Sequence, residues 1–206
     1  MKKLLIGLSL LVASSLTFAA GYMPAQNAQP PRTNDGNIEV EGVFWYGCPF
    51  CYQLEPAVQA FAADLPEGAE FIKVPAPLSP GWAAHARVYH VAAALGVLDQ
   101  THNQVFATLQ QSHGKGLLTV DEVVAYFNKV GVPEAKVMEA AEHPVVMQRM
   151  SYDLKRLTAL GLREVPALVV DGRYIITSRT AGGIDRMVPE ALALIEQIQQ
   201  ENSANQ

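Results

Sequence analysis

The spacing of apolar residues along this chain changes period several times, and each change marks a predicted element. Val40-Glu41-Gly42-Val43-Phe44-Trp45-Tyr46 is a run of β-formers ending at Gly47, which predicts a strand over residues 38 to 46. From Tyr52 the spacing turns helical, through Leu54, Val58 and Phe61, and predicts a helix to about Leu65. Pro56 lies inside that helix and is expected to kink or split it, because it lacks the N–H that the preceding turn needs. Pro66-Glu67-Gly68 reads as a turn into a short strand, Phe71-Ile72-Lys73-Val74.

Residues 78 to 160 then keep the helical period throughout. They predict helices over Trp82 to Leu95, Gln100 to Gln111, Val120 to Val130, Glu134 to Ala141 and Val145 to Leu160. Thr119 with Glu122 fits a capping box, Pro133 suits the first turn of the helix after it, and Gly161 suits a helix end. Two apolar runs, Val165 to Val170 and Arg173 to Thr177, flank Asp171-Gly172 and predict a hairpin. A last helix is expected from about Val188 to Gln200, with the tail from Asn202 fraying. Strand, helix, strand, helical block, hairpin and helix together make an α/β fold interrupted by an all-α insertion.

The two ends of the chain read differently. Met1-Lys2-Lys3, the apolar run Leu4 to Phe18, and the small residues Ala19 and Ala20 have the layout of a secretory signal peptide over residues 1–19. The run is shorter than the roughly 20 residues that span a bilayer, so export is expected rather than anchoring. Residues 20–37 are polar and rich in Pro, Gln and Asn, and predict an extended arm that adds at most an edge strand and little core. Without the leader's two lysines the chain carries 13 basic residues against 20 acidic ones, a net −7, which argues against nucleic acid as a partner.

The chemistry concentrates in Cys48-Pro49-Phe50-Cys51, which holds both cysteines and sits where the strand gives way to the helix. The first cysteine therefore caps a helix. There, unpaired backbone N–H groups and the positive end of the helix dipole favour a thiolate and lower its pKa. Cys51, one turn on, is placed to close a disulfide with Cys48 or to attack a mixed disulfide formed by it. Other uses of C-x-x-C fit less well: haem attachment needs histidine at position 52, where Tyr52 stands. Zinc needs four ligands, and the five histidines at 85, 90, 102, 113 and 143 show no paired spacing near the motif. A purely structural bridge across so short a loop would add little stability. Redox work remains, with no metal and no cofactor expected.

Phe44 to Tyr52, together with Val165-Pro166-Ala167 and the helical block between them, resemble the thioredoxin superfamily and, within it, the DsbA family of periplasmic thiol oxidases. The resemblance covers nearly the whole mature chain. It implies a thioredoxin-like fold, with residues 38–77 and 161–206 forming the two parts of the thioredoxin-like domain and 78–160 inserted as the helical domain. It further implies a cis bond at Val165–Pro166 opposite the disulfide, where the Val165 backbone pairs with substrate. Catalysis would fall to Cys48 and Cys51, with Pro49 and Phe50 tuning them. The expected partners are reduced, unfolded exported proteins and a DsbB-type inner-membrane oxidase, and the protein is expected to be a periplasmic monomer.

Two departures from the family pattern stand out. Family members typically carry histidine before the second cysteine, where this chain has Phe50, so a weaker oxidant is expected. They also carry a buried acid six positions before the first cysteine, where Gly42 stands; strand alternation turns the neighbouring Glu41 to the opposite face. A disulfide isomerase or reductase of the same fold is the nearest rival function, and a chaperone or Cu(I) carrier a more distant one. Trp82, Tyr89, Phe106, Tyr126, Phe127, Met138, Met147 and Met150 fall at helical spacing and read mostly as core, while Trp45 and Tyr46 are candidates for an apolar docking surface.

Overall fold

The computed structural model describes residues 21–33 and 35–204, so the predicted signal peptide lies outside the described residues. Its centre is a five-stranded sheet in the order β1-β5-β4-β2-β3. Strand β2, Ile38–Phe44, pairs in parallel with β3, Ala69–Pro75, and antiparallel with β4, Ala167–Val170. The hairpin to β5, Tyr174–Thr177, forms as the Asp-Gly signal requires: Asp171 at φ 54° and Gly172 at φ 60° both adopt the left-handed turn. The arm adds its edge strand, β1 at Met23–Pro24, against β5.

Between β2 and β3 runs α1, Pro49–Ala63, as one uninterrupted helix. Pro56 does not split it, because Leu54, Val58 and Phe61 on either side of the proline are buried in one cluster against the sheet. Five helices lie between β3 and β4: α2 Pro80–Ala94, α3 Leu98–Gln111, α4 Val120–Lys129, α5 Glu134–Glu142 and α6 Pro144–Leu160. Thr119 and Glu122 form the expected capping box, and Gly161 closes α6 at φ 81°. Pro133 stands one residue earlier than expected, as the N-cap of α5. A short α7, Ser178–Ala181, which the apolar period did not announce, precedes the last helix. That helix, α8, spans Met187–Ala204; it runs through Asn202 instead of fraying there, with Ser203 Oγ bonded to Gln199 O at 2.9 Å.

Alternation along β2 divides the core. Ile38 and Val40 turn to the cluster built with α1 and α8, whereas Val43 turns to Leu157 and Leu160 of α6. Glu39 and Glu41 share the α6 side and are fully buried. Arg156 on α6 meets Glu41 at 2.7 Å and Glu39 at 3.1 Å, and Arg32 of the arm meets Glu41 at 2.7 Å and Asp153 at 2.8 Å. The arm thus contributes a partly buried charge beside the core, more than its polar composition suggested, because β2 carries two buried acids on that face.

Candidate active site

Cys48 is the N-cap of α1, with extended backbone at φ −84° and ψ 118°, and Pro49 occupies the first turn, where its missing N–H costs nothing. The Cys48 sulfur accepts from the Cys51 backbone N–H at 3.3 Å. Both cysteines are free thiols and buried. Their protons are held unequally. The hydrogen bond from the Cys51 thiol, joined by the backbone N–H groups of Cys51 and Phe50, outweighs burial and lowers the Cys48 pKa to about 7. Burial pushes the Cys51 thiol well above its ordinary value, and the Cys48 sulfur adds to the rise. The helix start therefore does favour a Cys48 thiolate, with the neighbouring thiol contributing more than the backbone.

The Val165–Pro166 bond is cis, and the Cys48 thiol approaches Val165 O at 3.7 Å. This brings residues 117 positions apart together at one end of the sheet's central strands. Pro166 is buried, while Val165 is only partly covered. Around the pair, Phe50 is 62% exposed and Tyr52 44% exposed, so these two present the apolar surface beside Cys48. Tyr46 does not, contrary to expectation: it is 1% exposed, and its hydroxyl meets His102 Nδ1 at 2.7 Å. Trp45 stacks on Trp82 with centroids 5.0 Å apart and donates to His85 Nδ1 at 2.8 Å, which ties the cysteine loop to α2.

Glu41 lies across the sheet from Cys51, engaged by Arg156 and Arg32, as alternation predicted. The acid beneath the cysteines is instead Glu55, four residues after Cys51 on α1. It accepts from Lys73 Nζ at 2.7 Å, His102 Nε2 at 3.0 Å and Gln59 Nε2 at 2.9 Å. Burial raises its pKa, but the His102 and Lys73 contacts prevail and hold it below the ordinary value. Little in the sequence marks Glu55, Lys73 and His102 as neighbours of the cysteines. Only the spacing of Cys51 and Glu55, i and i+4 on one helix face, hinted at the first of them.

No group of three or more His, Cys, Asp or Glu side chains able to hold a metal ion occurs among the described residues. The arrangement is that of two buried thiols, one with a lowered pKa and one with a raised pKa. The sequence model of the DSBA-like thioredoxin domain matches residues 39–188. The thiol:disulfide interchange protein DsbA of Azotobacter vinelandii is 32% identical over 213 residues, covering 96% of this chain and 98% of that one. The DsbA of Pseudomonas aeruginosa strain PAO1 is 30% identical over 187 residues, covering 90% and 88%. A crystal structure of Pseudomonas aeruginosa DsbA superposes with a TM-score of 0.81 at 29% identity, covering 91% of this chain and 95% of that one. The fold, the paired thiols and these likenesses agree: the chain belongs to the DSBA-like thioredoxin domain family and is a thiol:disulfide oxidoreductase.

Proposed function

We propose that Cys48 and Cys51 are the catalytic pair of a periplasmic oxidase that passes its disulfide to exported proteins as they fold. The observation that carries this reading is the unequal hold on the two protons: a thiol with a pKa of about 7 at the helix cap, beside one held firmly protonated. A substrate thiolate attacks the Cys48 sulfur of the oxidised pair; the Cys48–Cys51 bond breaks, and Cys51 leaves and takes up a proton. A second substrate thiolate attacks the substrate sulfur of the mixed disulfide and releases Cys48 as a thiolate. The substrate loses two electrons and the protein pair gains them. The lowered Cys48 pKa favours this second departure and stabilises the reduced form, which makes the disulfide an oxidant.

Val165 and Pro166 are the substrate-binding residues in this reading, with the partly exposed Val165 backbone pairing with an extended peptide beside Cys48. Pro49 starts the helix that carries the cap, and Phe50 offers an apolar contact. A quinone-coupled DsbB-type membrane protein would restore the disulfide, and the working form is a monomer. One observation favours a second reading, as isomerase or reductase: Phe50 lends Cys48 neither a ring N–H nor a charge, which leaves the disulfide less oxidising.

The test is the equilibrium of the Cys48–Cys51 disulfide in glutathione buffers, alongside oxidation of a reduced, unfolded protein substrate. A disulfide well above the thioredoxin potential of about −270 mV, with rapid substrate oxidation, is the expected result. A potential near or below that of thioredoxin overturns the oxidase reading.

A further inference from the structure

Glu55 is a buried carboxylate that the scheme above does not use. It shares with Cys51 a cavity of about 20 Å³, which Gly42, Phe71 and Lys73 also line. A space of that size holds about one water molecule. Three side chains anchor Glu55: Lys73 from β3, His102 from α3 and Gln59 from its own helix, with Gln59 tied in turn to Asn103 at 2.7 Å. An ionised carboxylate only accepts, so His102 Nε2 carries the hydrogen toward Glu55, and the Tyr46 hydroxyl meets the other ring nitrogen. Tyr89 completes the surroundings, donating to Lys73 O at 3.3 Å. The carboxylate is thus fixed in place, and of the two cysteines it is Cys51 with which it shares the cavity.

We propose that Glu55 decides the fate of the mixed disulfide: its fixed negative charge slows attack by Cys51 on Cys48, so the intermediate survives until a second substrate thiol resolves it. The inference rests on the proposed thiol-transfer function. Collapse requires Cys51 to lose its proton and attack the Cys48 sulfur, expelling the substrate as a thiolate and re-forming the Cys48–Cys51 bond. In the free dithiol, burial and the Cys48 sulfur do most to keep the Cys51 proton in place, and Glu55 adds to them. In the mixed disulfide the Cys48 sulfur is neutral and its charge no longer contributes. Glu55 then remains as the negative charge opposing a Cys51 thiolate, while nothing in its position touches Cys48. An acid here biases the enzyme toward completed oxidation and against abortive release.

The experiment uses the reduced full-length mature protein and a fluorescent peptide carrying a thionitrobenzoate mixed disulfide. Attack by Cys48 releases coloured thionitrobenzoate and leaves the peptide on Cys48; attack by Cys51 then releases the peptide. Both steps are followed from pH 5 to 9. Removing the Glu55 charge lowers the Cys51 pKa and so raises its thiolate fraction at any given pH. Lower basicity costs nucleophilicity with a Brønsted slope of about 0.4–0.5, so only part of that gain is lost.

Peptide release from Glu55→Gln should therefore be faster than from the wild type across this pH range. Lys73→Gln, which strips a compensating cation, should slow release, and thionitrobenzoate release should stay the same in both. Unchanged or slower peptide release in a natively folded Glu55→Gln protein overturns the inference, as does a shift of both variants in the same direction. Should Glu55→Gln fail to fold, Lys73→Gln decides: slower release supports the inference, and unchanged or faster release overturns it. Failure of the wild type to release thionitrobenzoate would instead remove the thiol-transfer reading, and this inference with it.

Discussion

At the scale of single residues, the protein's chemistry is a difference between two sulfurs three positions apart. The Cys48 pKa of about 7 predicts that alkylation of the reduced protein accelerates as pH rises through about 7, while Cys51 stays unreactive. The direction follows from a lowered pKa: the thiolate is present above the folded value and lost as pH falls through it. Because the Cys51 thiol contributes most to that lowering, Cys51→Ala should move the Cys48 midpoint upward, read by thiolate absorbance. Phe50→His should move it downward, since a 62% exposed ring at that position stays free to protonate near the Cys48 sulfur. A midpoint unchanged or raised by Phe50→His would reject that role for position 50.

At the scale of elements, most of the secondary structure was legible in the apolar period, and the misses have local causes. Pro56 suggested a break in α1, yet buried neighbours on both sides keep the helix continuous through it. Tyr46 was misplaced because it follows a strand; beyond Phe44 the chain leaves the sheet, and alternation no longer says which way a side chain turns. Gly42 shows the converse, a position whose lack of a side chain only its neighbours explain. A Cβ there would lie 2.3 Å from the Phe71 ring, which packs edge-on against Phe61. Gly42→Ala should cost about 1–3 kcal/mol by overpacking, measured by denaturant unfolding. An acid at position 42 would meet the same obstacle, and the carboxylate that shares a cavity with Cys51 sits on α1 instead.

At the scale of the molecule, one buried ionic cluster joins parts that are remote in sequence. Arg156 bonds both strand acids and the Pro30 carbonyl, Arg32 spans Glu41 and Asp153, and His90 of α2 meets Asp153 at 2.9 Å. Helical block, central strand and arm are thus locked together on the face of the sheet opposite Glu55. Arg156→Ala would leave Glu39 and Glu41 buried and short of a counter-charge, at a cost of about 3–5 kcal/mol. Loss of stability well below that, in a thermal or denaturant melt, would show that the cluster is not a structural joint. Restoration by Glu39→Gln in the same chain is the expected companion result, because it removes one of the stranded charges.

What the sequence determined by itself was everything carried by local pattern: the strand-to-helix placement of Cys48, the helical block, the Asp-Gly hairpin and the turn of Glu41 away from the cysteines. These follow from period, caps and turn chemistry, which act over a few residues. What only the tertiary structure decided was which distant side chains share a buried space. Lys73 and His102 upon Glu55 and Arg32 upon Asp153 are separated by 18, 47 and 121 residues from the groups they meet. Such pairings arise because a charge removed from water must find its counter-charge or a hydrogen-bond partner wherever the fold brings one near, and no local spacing encodes where that will be.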